Sequence, residues 1–290
     1  MKKMIQKRTI FIYVCLFIML LSGCNEKENS VKIYGGSLIK NNTMFTSRQD
    51  SALAYELPII SSVKITDFEI TEFHVSGIGQ YDIEFEALTG GEIYNEWYYY
   101  FANLSVKVAT DEAADFSIDS VDMIINGTPI NYTIGDMKFS NTKGACGEQV
   151  IDDRTDFVYA NGTTALYQVI PSEKEDIQTT SLDIQSDCVI TDFSALDYLE
   201  IQNLKVYVNG KIVTFDDGLL VHAGDVVDFE YNLGYQKGVQ KWNLLKTTKL
   251  IFYTNASGEE CVFPDAQGFM IINYVNDDFV KEYIDGFVKK

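Results

Sequence analysis

Three carboxylates spaced two apart, Asp82, Glu84 and Glu86, stand in the stretch YDIEFEA. Carboxylates held close together support two kinds of chemistry. Set across a cleft, one protonated and one ionised, they hydrolyse glycosides; set around a small cavity, they ligate calcium. Asp152-Asp153-Arg154-Thr155-Asp156 and Asp216-Asp217 offer the same donors. None of these runs follows the DxDxDG spacing of a calcium loop. In a chain with 42 Asp and Glu among 290 residues such clusters are ordinary solvated faces, so no acid–base pair, metal site or cofactor is expected from them. Nucleophilic chemistry is poorly supplied. There are two histidines, His74 and His222, and no serine lies in GxSxG. Gly77-Ile78-Gly79-Gln80-Tyr81 lacks the third glycine of a dinucleotide fingerprint and leads into a strand pattern.

A second constellation is aromatic. The stretch NEWYYYFANLSVKV, Asn95 to Val108, ends in an apolar alternation that fixes its parity. Along one strand Tyr98, Tyr100, Ala102, Leu104, Val106 and Val108 share the core face, and Trp97, Tyr99 and Phe101 share the opposite one. Left open to water, those three rings make a platform for a sugar or a protein partner. The carboxylates of Asp82, Glu84 and Glu86 would flank it if the two strands pair as a hairpin through Thr89-Gly90-Gly91. A bulge near Ala102, or cover by the preceding tether or a neighbouring domain, would remove it.

The elements that position these residues read as β. Tyr81 to Ala87 alternates strictly, and VDMIINGTPINY (Val121 to Tyr132) and LKVYVNGKIVTF (Leu204 to Phe215) each place Asn-Gly between alternating apolar runs. That dipeptide favours a type I′ hairpin turn. The segments before the two hairpins, VKVATDEAADFSI and DCVITDFSALDYLEI, also run parallel. The expectation is an all-β chain of two tandem immunoglobulin-like β-sandwich domains, 59–172 and 178–290, joined near Ser172-Glu173-Lys174-Glu175-Asp176. Residues 24–58 read as a tether with a short helix over Ser47 to Glu56. At the other end Asn276 caps an amphipathic helix, with Phe279, Tyr283 and Phe287 beside Val280, Ile284 and Val288. Its expected place is over the second sandwich.

The amino terminus carries Lys2, Lys3, Lys7 and Arg8 before the apolar run TIFIYVCLFIMLL, the order of a secretory signal peptide. It closes in Leu21-Ser22-Gly23-Cys24, which resembles the lipobox of bacterial lipoproteins. The resemblance implies cleavage after residue 23, lipid on Cys24, and a body held at the extracytoplasmic face of the cell membrane. Removing residues 1–23 takes four of the 23 Lys and Arg and none of the 42 acidic residues, leaving 19 against 42, a net charge of −23. Such a body does not bind nucleic acid through phosphates. Cys15 leaves with the leader, and Cys146, Cys188 and Cys261 cannot all pair with one another, so their pairing stays open. The function read from these features is a non-catalytic binding or adhesion module for a glycan or a surface protein. A carbohydrate-active enzyme, or an accessory subunit of one, is the alternative.

Overall fold

The computed structural model describes residues 31–45, 52–109, 112–141, 151–153, 177–216, 218–240, 244–271 and 275–288. The chain divides into Met1–Lys32 and Ile33–Lys290, and the elements all lie in the second unit. The leader, Cys24 and the 172–176 linker fall outside the described residues. Nine strands build the first sandwich: β1 (Ile33–Tyr34), β2 (Ile39–Phe45), β3 (Leu53–Ser61), β4 (Phe68–Ile78), β5 (Tyr81–Tyr94), β6 (Trp97–Val108), β7 (Asp115–Ile125), β8 (Thr128–Thr133) and β9 (Met137–Asn141). One sheet orders β1-β3-β6-β5; facing it, β4 and β8 flank β7, and β9 continues to β2. The rings of Tyr55 and Phe139 meet edge-on at 5.1 Å across the two layers, and Tyr81 lies 4.4 Å from Phe116. Alternation places Tyr55, Phe116 and Phe139 inward, and burying each large apolar side chain stabilises by roughly 1.5–3 kcal/mol.

The second sandwich holds β10 (Ile151–Asp153), β11 (Gln178–Ile184), β12 (Cys188–Ala195), β13 (Leu199–Val208), β14 (Lys211–Val213), β15 (Leu219–Val221), β16 (Val226–Tyr235), β17 (Leu244–Asn255) and β18 (Glu260–Ile271). The sheet β10-β11-β16-β13-β14 faces β15-β12-β17-β18 across one core. Within that core Phe193 stacks on Phe229 at 4.4 Å. Cys188 is a buried free thiol that burial pushes up to about 11, and Cys261 is disulfide-bonded.

Both Asn-Gly turns form as their chemistry requires. Asn126 and Gly127 have φ of 50° and 78°, and Asn209 and Gly210 have 50° and 75°. The neighbours of the two hairpins differ. The β7–β8 hairpin is flanked by the preceding β4, whereas β13–β14 is flanked by the following β16. The shared dipeptide therefore marks a shared turn, set in unlike surroundings.

What joins the sandwiches is β2. It runs parallel to β17 from Leu244 to Thr247 and parallel to β9 from Met137 to Asn141, so one nine-stranded sheet passes through both halves. Side chains reinforce the seam. The Met44 amide donates to Thr248 Oγ1 at 2.7 Å, and the Tyr198 hydroxyl donates to Asp136 Oδ2 at 2.7 Å, where Lys40 and Lys138 add their charges. This corrects the tether reading of 24–58: from Ile33 onward the segment supplies β1, β2 and the start of β3. The expected helix over 47–56 is strand from Leu53, with residues 46–51 outside the description.

The C-terminal helix α1 (Asp277–Val288) starts as expected, with Asn276 Oδ1 accepting the Phe279 amide at 2.8 Å. Its buried stripe is Val280, Tyr283 and Ile284. Its docking partner is different from the one expected. Together with Leu38, Ile60 and Tyr99 the stripe forms a separate small core on the outside of the β3–β6 face, so the helix covers the first sandwich. Tyr283 fixes it there, bonding Ser37 Oγ at 2.8 Å and accepting the Gly35 amide at 3.1 Å.

Candidate functional site

The structure separates the aromatic constellation from the acidic one. The parity read for β6 holds, with Tyr100, Ala102, Leu104, Val106 and Val108 buried toward the sandwich. The opposite face is occupied. Tyr99 is 2% exposed beneath α1, Trp97 packs edge-on against Tyr34 at 5.5 Å, and Phe101 meets Tyr99 at 5.1 Å. Trp97, Tyr99 and Phe101 therefore make no open platform, because the helix needs an apolar floor and these rings supply it. The Tyr99 hydroxyl is buried without a hydrogen-bond partner, which marks its site as one of packing.

Asp82, Glu84 and Glu86 are all exposed, on β5. That strand runs fourteen residues and, among the described residues, pairs only with β6, which leaves its other side as the edge of the sheet. Asp82 stands opposite Lys107 and Glu84 opposite Ser105, while Glu86 sits in a bulge between Phe85 and Ala87. Among the described residues none of the three carboxylates has a hydrogen-bond or salt-bridge partner. The turn that joins β5 to β6 is Asn95-Glu96, both with positive φ, rather than Thr89-Gly90-Gly91. The two glycines form a second bulge instead, where a Cβ at Gly90 would stand 2.7 Å from the Tyr99 carbonyl oxygen.

A second edge lies beside the first. β4, eleven residues long, pairs among the described residues only with β7 and reaches β5 through Gly79-Gln80. Gly79 has φ of 136°, and a Cβ there would lie 2.7 Å from that of Ala114, so glycine is required. Glu69 and Glu72 are exposed on β4, Glu92 is exposed further along β5, and Ile78 and Tyr81 stand exposed at the tip. Among the described residues two long open edges thus share one side of the first sandwich, each lined by exposed carboxylates. Like charges and bulges keep such edges from pairing with copies of themselves.

Sequence reasoning nominated neither histidine, and each has a carboxylate neighbour. His74 Nε2 lies 2.8 Å from Asp122 Oδ2 across β4 and β7, and Asn131 Nδ2 donates to Asp122 Oδ1 at 2.7 Å. The hydrogen bond to Asp122 raises His74 above the ordinary imidazole value; those from Asn131 and His74 lower Asp122 below the ordinary carboxylate value. The raised imidazole favours the fold below its unfolded pKa and loses that effect as pH climbs through the folded one. The lowered carboxylate favours it above its unfolded pKa and loses that effect as pH falls through the folded one. The pair is therefore charged and bonded between the two folded values. His222 Nδ1 lies 3.3 Å from Asp187 Oδ2, beside the Ala223 amide, whose donation is the first cause of Asp187's lowered pKa. Of the other acidic runs, Asp152 and Asp153 fall in β10 and Asp216 is exposed; residues 154–156 and Asp217 lie outside the description.

No family model and no curated protein matches the chain. Among solved structures, the collagen binding domain of the Erysipelothrix rhusiopathiae surface protein RspB is similar at 10% identity, over 84% of this chain and 92% of that one, with a TM-score of 0.22. The Yersinia pseudotuberculosis adhesin InvE is similar at 10% identity, over 84% of this chain and 63% of that one, with a TM-score of 0.18. At these scores neither likeness carries a ligand or a mechanism to this chain.

Proposed function

We propose that the chain is a lipid-anchored, extracytoplasmic binding module that takes a basic, extended protein segment along the β4 and β5 edges of its first sandwich. The observation that carries the reading is the open side of β5, fourteen residues with Asp82, Glu84 and Glu86 projecting and unpartnered among the described residues. Strand addition to an open edge draws affinity from main-chain hydrogen bonds and specificity from side chains. A segment carrying Lys or Arg at alternate positions matches the carboxylates at their spacing. The two sandwiches share one nine-stranded sheet through β2, which ties that edge to both halves. The same placement weighs against a glycosidase. Carboxyls ranged along the outside of one strand do not face each other across a sugar. In the binding half of the proposal, Glu84→Lys weakens capture of a lysine-rich extended peptide severalfold and leaves the melting temperature unchanged.

Anchoring rests on Cys24. Two acyl chains give stable attachment where one gives only marginal binding. The acidic body then stands off an anionic lipid surface, which suits an edge presented to solution. Cys24→Ala is expected to abolish acylation and release the chain from the membrane fraction. Retention of that variant in the detergent phase at the parent's level would refute the lipid anchor.

A further inference from the structure

We infer a divalent transition-metal site, of the zinc class, formed by Glu72, His74 and Asp122 on the outer face of the β4–β7 pair. Two bulges create it. Thr71 is the extra residue on β4 and Asp119 the extra residue on β7, and between these points the register sets Glu72 opposite Asp122 and His74 opposite Ser120. Glu72 and His74, two apart on one strand, thereby share a face with Asp122. One ligand atom from each of the three lies within 4.8 Å of the others. Ligands around a single zinc ion stand about 2.0–2.2 Å from it, so side-chain rotation closes this gap without moving the strands. An imidazole nitrogen with two carboxylate oxygens, and outer positions left to water, is a donor set for zinc and its first-row neighbours rather than for calcium or magnesium.

Asn131, on β8, lies outside the ligand set and behaves as a support for it. Its amide holds Asp122 Oδ1 at 2.7 Å and leaves Oδ2 turned toward His74 Nε2. Supports of that kind fix the orientation of ligating carboxylates, and their loss weakens metal affinity about 10–100-fold. The chain's net charge of −19 adds long-range attraction for a cation. A metal held here crosslinks β4 to β7 and places positive charge beside the acidic edge.

The full chain, purified without a histidine tag and stripped with a chelator, is titrated with zinc chloride in a calorimeter, with calcium and magnesium chloride as comparisons. One zinc per chain is expected, with much weaker calcium and magnesium binding. His74→Ala and Asp122→Asn reduce the zinc affinity at least tenfold, Asn131→Ala reduces it roughly tenfold, and His222→Ala leaves it unchanged. Circular dichroism of each variant without zinc confirms the parent fold, since these side chains are outside the core. Zinc binding that survives in both His74→Ala and Asp122→Asn, or binding no tighter than that of calcium, would overturn the site.

Discussion

Tyr283→Ala lowers the stability of the chain by roughly 3–5 kcal/mol, the range for removing a large buried aromatic. Tyr283 is 3% exposed, packs in the cluster of Leu38, Ile60, Tyr99, Val280 and Ile284, and closes two hydrogen bonds to the Gly35–Ser37 turn. Its loss leaves a cavity beneath α1 and exposes the Ser37 hydroxyl and Gly35 amide to be resatisfied by water. For a folded unit of this size the melting temperature falls by about 10 °C. Tyr283→Phe separates the two contributions: it keeps the ring and removes the hydroxyl, at about 1–2 kcal/mol. Tyr99→Phe, in the same cluster, goes the other way. It removes a buried hydroxyl with no partner, so the melting temperature holds or rises. Should Tyr283→Ala melt with the parent, α1 does not dock on the first sandwich.

Phe139→Ala has an effect of similar size, roughly 3–5 kcal/mol, and its reach tests the fusion of the two halves. Phe139 is fully buried on β9, stacks on Phe116 at 5.1 Å, and touches Phe45 and Tyr55. In the ladder it stands opposite Thr43 of β2, and β2 pairs on its other side with β17. Destabilising the first core therefore loosens a strand that the second sandwich shares. Hydrogen exchange is expected to quicken in β17 along with β7, and thermal melting stays a single transition shifted downward. Two separated transitions, with only the earlier one moved, would show that the sandwiches fold independently.

The local patterns that were legible in the sequence are those with a short physical period. The alternation of YDIEFEA gave a strand, Asn-Gly gave two type I′ turns, and the aliphatic end of β6 gave the parity of all its rings. The cover over Trp97, Tyr99 and Phe101 was not legible, because it depends on a helix some 180 residues downstream, whose Asp277 carboxylate accepts the Asn95 amide at 2.7 Å. β2 was hidden for another reason. IKNNTMF reads as polar coil, yet Asn41 and Thr43 are buried, with Thr43 Oγ1 donating to Asn41 Oδ1 and Asn41 Nδ2 to the Lys138 carbonyl. A strand bonded on both sides tolerates polar residues inside when they satisfy one another. Thr89-Gly90-Gly91 has turn composition, and only the close approach of Tyr99 and Tyr100 makes it a bulge. The His74–Asp122 pair lies 48 residues apart in the chain and is joined by a register that two bulges set.

The acidic edge is the centre of the functional proposal, and titration with designed peptides tests it most directly. An alternating lysine–valine peptide presents positive charge at strand spacing, an alternating glutamate–valine peptide inverts the charge, and a lysine-rich helical peptide keeps the charge without the extended backbone. The full chain is expected to bind the first, to ignore the second, and to hold the third more weakly, with affinity falling as salt screens the contact. Reversing Asp82, Glu84 and Glu86 to lysine should weaken the lysine–valine peptide at least roughly tenfold, since each exposed pair contributes about 0.2–1 kcal/mol and each reversal adds repulsion. The melting temperature of the variant stays near the parent's, because all three side chains are exposed. Equal affinity for the parent and the triple variant, or no binding of the lysine–valine peptide even at low salt, would contradict recognition along this edge.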